Sequence, residues 1–234
     1  MIEDWSDFFY GGVPPGGMLK IELENLEQLI EEDDNPNGLS STSGLCLIGL
    51  VAHFEAYFKH VFAAVGNIYP PALDRFTSER REVDVGLRDI RRLRGPVEYQ
   101  LGFLISDEYS FGDAKSINSL FHDLIGITPF SKDEKRRYDK ILAERNLLVH
   151  NGGVLTAQSV AQDMIRHTRQ KRSFFDSVVI EPEQVLDDLR FVDEIARKTT
   201  DATHRALREI INDGDNSLLP EQRKALDMID HYDF

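Results

Sequence analysis

A single cysteine, Cys46, stands in the 234 residues. No disulfide framework can form within the chain, and the thiol lies in an apolar stretch where it packs as a small hydrophobe. A reducing cytoplasm is the expected location. The opening Met1-Ile2-Glu3-Asp4-Trp5-Ser6-Asp7 is acidic and has neither the positive n-region nor the apolar h-region of a secretory signal, so no export is expected. The longest apolar run, Leu45 to Ala52, is interrupted by Gly49 and ended by His53, short of the roughly 20 residues that cross a bilayer. No membrane span is expected from it.

The motifs of several large enzyme classes are also missing. No P-loop, G-x-G-x-x-G, G-x-S-x-G or H-E-x-x-H occurs, which removes the usual support for nucleotide hydrolase, dehydrogenase, serine hydrolase and zincin readings. Gly38 to Gly44 is rich in serine and glycine but has no P-loop lysine, so it reads as a linker and helix cap. His53-Phe54-Glu55 matches the H-x-E of zinc deaminases, yet no Pro-Cys-x-x-Cys can follow with one cysteine. His53 and His60, seven apart around Tyr57, share a helix face without the spacing of a compact metal site. Neither a metal nor a cofactor is expected.

Bases are few, 27 against 41 acids, for a formal charge of -14. The deficit is uneven: residues 1–40 hold ten acids and one base, and residues 176–234 hold fifteen acids and seven bases. The termini together carry -17 and the middle +3. A polyanion normally gains affinity from Lys and Arg, so the candidate phosphate contacts are Arg91, Arg92 and Arg94 in one run and Arg136, Arg137 and Lys140 in another. Interleaved acids allow the alternative that these runs are solvated helix faces.

What is present is helical periodicity. Leu19, Leu23, Leu26 and Ile30 repeat at helical spacing until Asn35-Pro36-Asn37-Gly38. Ser40 to Ser43 then caps a long helix from Leu45 to about Val65, whose Leu50, Phe54, Tyr57, Phe58, Val61 and Phe62 are candidate core residues. Pro70-Pro71 breaks the chain, and Gly95-Pro96 marks a break or kink in a region expected to hold two shorter helices. Ile117, Leu120, Phe121, Leu124 and Ile125 define another helix, and Thr128-Pro129-Phe130-Ser131 is a turn that caps the next. A β-like run over 174–180 suggests a hairpin or edge. A last long helix starts near Pro182 and runs toward Ile210. The expectation is one all-α domain over 1–234, with 1–40 as a candidate acidic extension.

The least ordinary segment is Arg145-Asn146-Leu147-Leu148-Val149-His150-Asn151-Gly152-Gly153. At 100° per residue, Tyr138, Ile141, Leu142, Leu148 and Val149 fall in one stripe about 120° wide, with Arg145 at its centre. A guanidinium in a leucine's place must be paired or face an anion, because burying it alone costs several kcal/mol. Asn146 and His150 are four apart, where the amide can orient the imidazole. Arg145 and His150 are five apart, roughly 140° around the axis. Asn151-Gly152-Gly153 supplies a left-handed helix stop.

Glu144-Arg145-Asn146-Leu147-Leu148-Val149-His150-Asn151-Gly152-Gly153-Val154 resembles the R-x4-6-H signature of HEPN domains, most closely over 138–154. The resemblance extends more loosely to the helices at 45–65 and 182–210. It implies an up-and-down helical bundle that forms a homodimer with the motifs facing each other, commonly a metal-independent endoribonuclease. Arg145 and His150 match the functional pair, and Asn146 the polar residue that often follows the arginine. Gly152 stands where one toxin branch has a tyrosine that is modified, so that regulation is not carried over. The implied reading is an RNA-cleaving toxin or phage-defence effector, with an antitoxin or regulatory protein as a further partner. The alternative is a noncatalytic HEPN module for dimerisation and for protein or nucleotide binding, in which Arg145, Asn146 and His150 are a satisfied polar cluster.

Overall fold

The computed structural model describes residues 2, 4–33, 41–79, 83, 85–91, 93, 95–157, 176–214 and 218–232. Its helices are α1 (Pro15–Glu31), α2 (Ser41–Ile68), α3 (Pro71–Glu79), α4 (Leu87–Ile90), α5 (Leu101–Asp107), α6 (Ala114–Ile125), α7 (Lys132–Asn151), α8 (Pro182–Gly214) and α9 (Pro220–Met228). Three short 3-10 turns cover Trp5–Phe8, Tyr10–Gly12 and Val97–Tyr99. The all-α expectation is met. The region between Pro70 and Asp107, expected to hold two helices, holds α3, α4, a 3-10 turn and α5 among its described residues. Among the described residues, the β-like run survives as one antiparallel bridge, Val154 to Ser177.

The chain divides into two compact units. The first comprises Met1–Lys20, Glu55–Pro129 and Ile195–Phe234. Its core is aromatic: Phe62 packs edge-on against Phe76, Phe111 and Phe121, with ring centroids 5.0, 5.6 and 6.4 Å apart. α6 belongs here because Ile117, Leu120, Phe121, Leu124 and Ile125 fall on one face, and all are buried. Asp113 caps it by accepting from the N–H groups of Lys115 and Ser116, and Gly126, at φ 79°, ends it. Two buried polar residues bind elements together. Tyr57 donates to the Ala196 carbonyl at 2.8 Å. Asn67 donates to the Phe8 carbonyl at 3.3 Å and accepts the Gly102 N–H at 2.8 Å.

The second unit comprises Ile21–Phe54 and Phe130–Glu194. Leu23, Leu26 and Ile30 of α1, Leu47, Leu50 and Phe54 of α2, Tyr138 and Ile141 of α7, and Val185, Leu189 and Val192 of α8 are buried. Tyr138 stacks on Phe130 at 5.3 Å and meets Phe54 edge-on at the same separation. α7 starts where the sequence places it: Ser131 Oγ accepts the Glu134 N–H and Glu134 Oε2 accepts the Ser131 N–H, a reciprocal capping box. Ser131→Ala is expected to lower stability by about 1 kcal/mol, read as a shift in the urea midpoint at unchanged slope.

Two expectations are revised. Phe8, Phe9, Leu19, Leu23, Leu26 and Ile30 are all buried, so the described part of 1–40 is core structure rather than an acidic extension. α2 is also longer than the apolar run that marked it. Thr42–Ile68 is long and apolar enough to cross a membrane by length and composition, but half of its most apolar window is buried within the protein. Its Leu47, Leu50, Phe54, Phe58 and Phe62 are fully covered by neighbouring elements.

Candidate functional site

The motif occupies the last two turns of α7, where the sequence puts it, but the helix is turned differently. The buried residues of α7 are Tyr138, Ile141, Glu144 and Leu147. Arg145 is half-buried, Asn146 and His150 are exposed, and Val149 is 47% exposed. The stripe centred on Arg145 is therefore not the buried one. Hydrophobicity alone selected it, and the row that faces inward instead includes a glutamate. Asn146, Val149 and His150 consequently lie on the outward side of the helix end, and Arg145 sits half-buried at its edge with its Nε covered.

Arg145 Nη1 donates to Asn146 Oδ1 at 3.0 Å. The amide oxygen thus serves the arginine, not the imidazole that the four-residue spacing suggested. The helix stops as expected: Gly152 adopts φ 56° and ψ 30°, Gly153 adopts φ 80°, and the Gly153 N–H reaches back to the Leu147 carbonyl at 2.9 Å. The chain then turns to pair with the segment before α8. Leu155 N–H donates to Asp176 O at 2.8 Å and Val178 N–H to Gly153 O at 2.7 Å. Leu147, Leu155 and Val178 form a small apolar cluster under this turn. These bonds anchor the His150 end of the helix.

The basic residues divide by use. Arg136 is exposed, 3.5 Å from Asp133, and Lys140 is exposed one turn on. Arg137 is committed elsewhere: it donates to Asp187 Oδ2 at 2.7 Å, lies 3.6 Å from the buried Asp188 and sits 4.4 Å above the Phe191 ring. That pairing with α8 competes with any phosphate contact by Arg137. Arg91 is exposed at the end of α4 in the first unit. Arg92 and Arg94 lie outside the described residues, as do Phe174 and Phe175 of the β-like run.

Glu144, 1% exposed, was not singled out by sequence reading. Its Oε2 accepts from Gln184 Nε2 at 2.6 Å, in the first turn of α8. Its signal was present as the three-residue spacing Ile141, Glu144, Leu147, but a charged residue in an apolar row carries no weight in a count of hydrophobic positions.

The histidines of α2 keep separate company. His53 lies 3.6 Å from Glu22. His60 stacks on Tyr10 at 4.5 Å, and burial, helped by the Lys59 charge, pushes it down to about 4. No group of three His, Cys, Asp or Glu that could hold a metal occurs among the described residues. An open cleft of about 470 Å³ at the start of α6 is lined by Tyr109, Ser110, Asp113, Lys115, Ser116 and Ser119, and Asp113 already takes up amides there.

No protein-family model matches the chain, and no curated protein or solved structure matches it either. The resemblance to HEPN domains rests on the residues of the motif.

Proposed function

We propose that the chain is a metal-independent endoribonuclease of HEPN type, acting in the cytoplasm as a homodimer and as a toxin or defence effector. The observation that supports this reading is the rotation of α7, which leaves Asn146 and His150 exposed and Arg145 half-buried beside Asn146 at the end of a firmly ended helix. These residue types suit RNA cleavage by its own 2'-hydroxyl. The 2'-oxygen forms a bond to the adjacent phosphorus, the bond to the 5'-oxygen breaks, and a 2',3'-cyclic phosphate and a 5'-hydroxyl result.

His150 would take the 2'-hydroxyl proton or supply one to the departing 5'-oxygen, a role worth about 10² to 10⁴ in rate. Arg145 would hold the phosphate as its charge grows, a contribution of roughly 10² to 10³ for one well-placed donor. Asn146, bonded to the guanidinium, would limit its rotamers. Since Arg145 and His150 sit roughly 140° apart around one helix, a second copy with its motif opposed would bring arginine and histidine to the same phosphate. Arg136 and Lys140, exposed on the same helix, are candidates for flanking phosphates.

Metal independence and the defence role come from the family resemblance. The other reading is a noncatalytic HEPN module for dimerisation and for protein or nucleotide binding. The two readings separate in one assay. Purified protein incubated with total RNA in EDTA is expected to cut it and leave 2',3'-cyclic phosphate ends. Intact RNA after incubation with folded, dimeric protein would reject the nuclease and leave the binding module.

A further inference from the structure

We infer that Glu144 and Gln184 are a positioning pair, which holds the last two turns of α7 in the one rotation that presents Arg145 and His150. The end of α7 has two ways to face the core. The set Tyr138, Ile141, Leu142, Leu148 and Val149 would centre Arg145 on the buried face, and the set Tyr138, Ile141, Glu144 and Leu147 leaves it half-buried at that face's edge with His150 exposed. They share their first two residues and part company at the motif.

The rotation observed is the one that hydrophobicity opposes. It leaves Val149 47% exposed and puts a carboxylate at 1% exposure, where an unpartnered charge is costly. Specific contacts must offset this, and the 2.6 Å hydrogen bond from Gln184 Nε2 to Glu144 Oε2 is one that ties α7 to the start of α8. Gln184 is itself only 7% exposed. Its Oε1 is buried without a hydrogen-bond partner among the described residues, so the amide is oriented by its bond to Glu144. Two turns earlier Arg137 bonds Asp187 of α8. The sequence positions run in opposite directions, 137 to 187 and 144 to 184, so two polar ties at two levels restrain the roll of α7 against the start of α8.

Neither residue needs to touch substrate; they act through Arg145 and His150. The consequence for cleavage rests on the ribonuclease reading, whereas the consequence for rotation does not. The test uses Gln184→Leu, which keeps the bulk but removes the donor. Rotation is read by maleimide labelling of a cysteine introduced as Val149→Cys in dilute full-length protein, with Cys46, 2% exposed, as a slow background.

Gln184→Leu is expected to slow labelling about tenfold and to lower kcat for RNA about a hundredfold with KM little changed, as a displaced catalytic group does. Adding Glu144→Leu makes the inward row wholly apolar, and both rates are expected to return toward the parent values. Unchanged labelling in Gln184→Leu, or no recovery in the folded double variant, would overturn the inference. Should Gln184→Leu not fold, Glu144→Gln decides, since its amide still accepts from Gln184 and is expected to keep both rates. Lost cleavage with unchanged labelling in Glu144→Gln would show that the carboxylate acts by its charge and would also overturn it. If wild-type protein cuts no RNA, the nuclease reading fails while the labelling still decides the rotation.

Discussion

His150→Ala is expected to lower RNA cleavage by about 10² to 10⁴ while the protein stays folded and dimeric. The reason the two effects should separate is the exposure of His150: truncating an exposed side chain usually changes stability by no more than about 0.5 kcal/mol. The helix end it belongs to is held by other groups, the Gly153 N–H on the Leu147 carbonyl and the bonds to Asp176 and Val178. Arg145→Ala makes a useful contrast. Arg145 is half-buried, its Nε is covered, and it bonds Asn146, so its loss should register in stability as well as in rate. The measurement is single-turnover cleavage of a defined RNA in EDTA, beside circular dichroism and sedimentation. Full activity in folded His150→Ala would remove this residue from the chemistry, and a folded protein that had lost its dimer would make it an interface residue.

The largest effect on stability is expected from Gly102→Ala in α5. A Cβ at Gly102 would overlap the Ala63 carbonyl oxygen of α2 and come within 2.7 Å of Asn67 Oδ1. The carbonyl belongs to a buried helix and cannot swing aside as a flexible side chain would. The methyl would also push against the Asn67 oxygen that accepts the Gly102 N–H, and that same amide holds the Phe8 carbonyl. One methyl thus opposes the approach of two helices and disturbs the tie to the N-terminal 3-10 turn. Overpacking of about 3 kcal/mol, with a buried hydrogen bond weakened besides, is the expected scale. For a chain of this size that lowers the melting temperature by roughly 6 to 12 °C. Thermal unfolding followed by circular dichroism checks it; a drop of only a degree or two would mean that α5 can move away without cost.

The placement of the helices was largely legible in the sequence. Leu19 to Ile30, Leu50 to Phe62 and Ile117 to Ile125 carry the periodicity of a buried face, and every residue named for the core in these stretches is buried. The turn Thr128-Pro129-Phe130-Ser131 announced the start of α7, and Asn151-Gly152-Gly153 its end, because caps and left-handed stops depend on local backbone chemistry. The fragmentation of the chain between Pro70 and Leu101 was read too simply. Short helices there present too few turns for periodicity to separate them, and tertiary contacts such as the Asn67–Gly102 bond decide where each begins.

The motif itself shows the same division. Residue identity and spacing determined which side chains could do chemistry and placed Arg145, Asn146 and His150 at the end of one helix. The direction in which that helix faces was decided only by tertiary structure. Apolar counting favoured one rotation, and a 2.6 Å hydrogen bond between residues forty apart in sequence accompanies the other. A periodicity calculation sums what each residue prefers alone, whereas a buried carboxylate is tolerable only when a particular partner reaches it. Likewise the identity of Arg137 marked it as a candidate for phosphate, and its pairing with Asp187 and Asp188 came from how α7 lies along α8. Local chemistry, written every three or four residues, determined the elements; the pairing of distant polar groups, which no local pattern encodes, determined which faces they show.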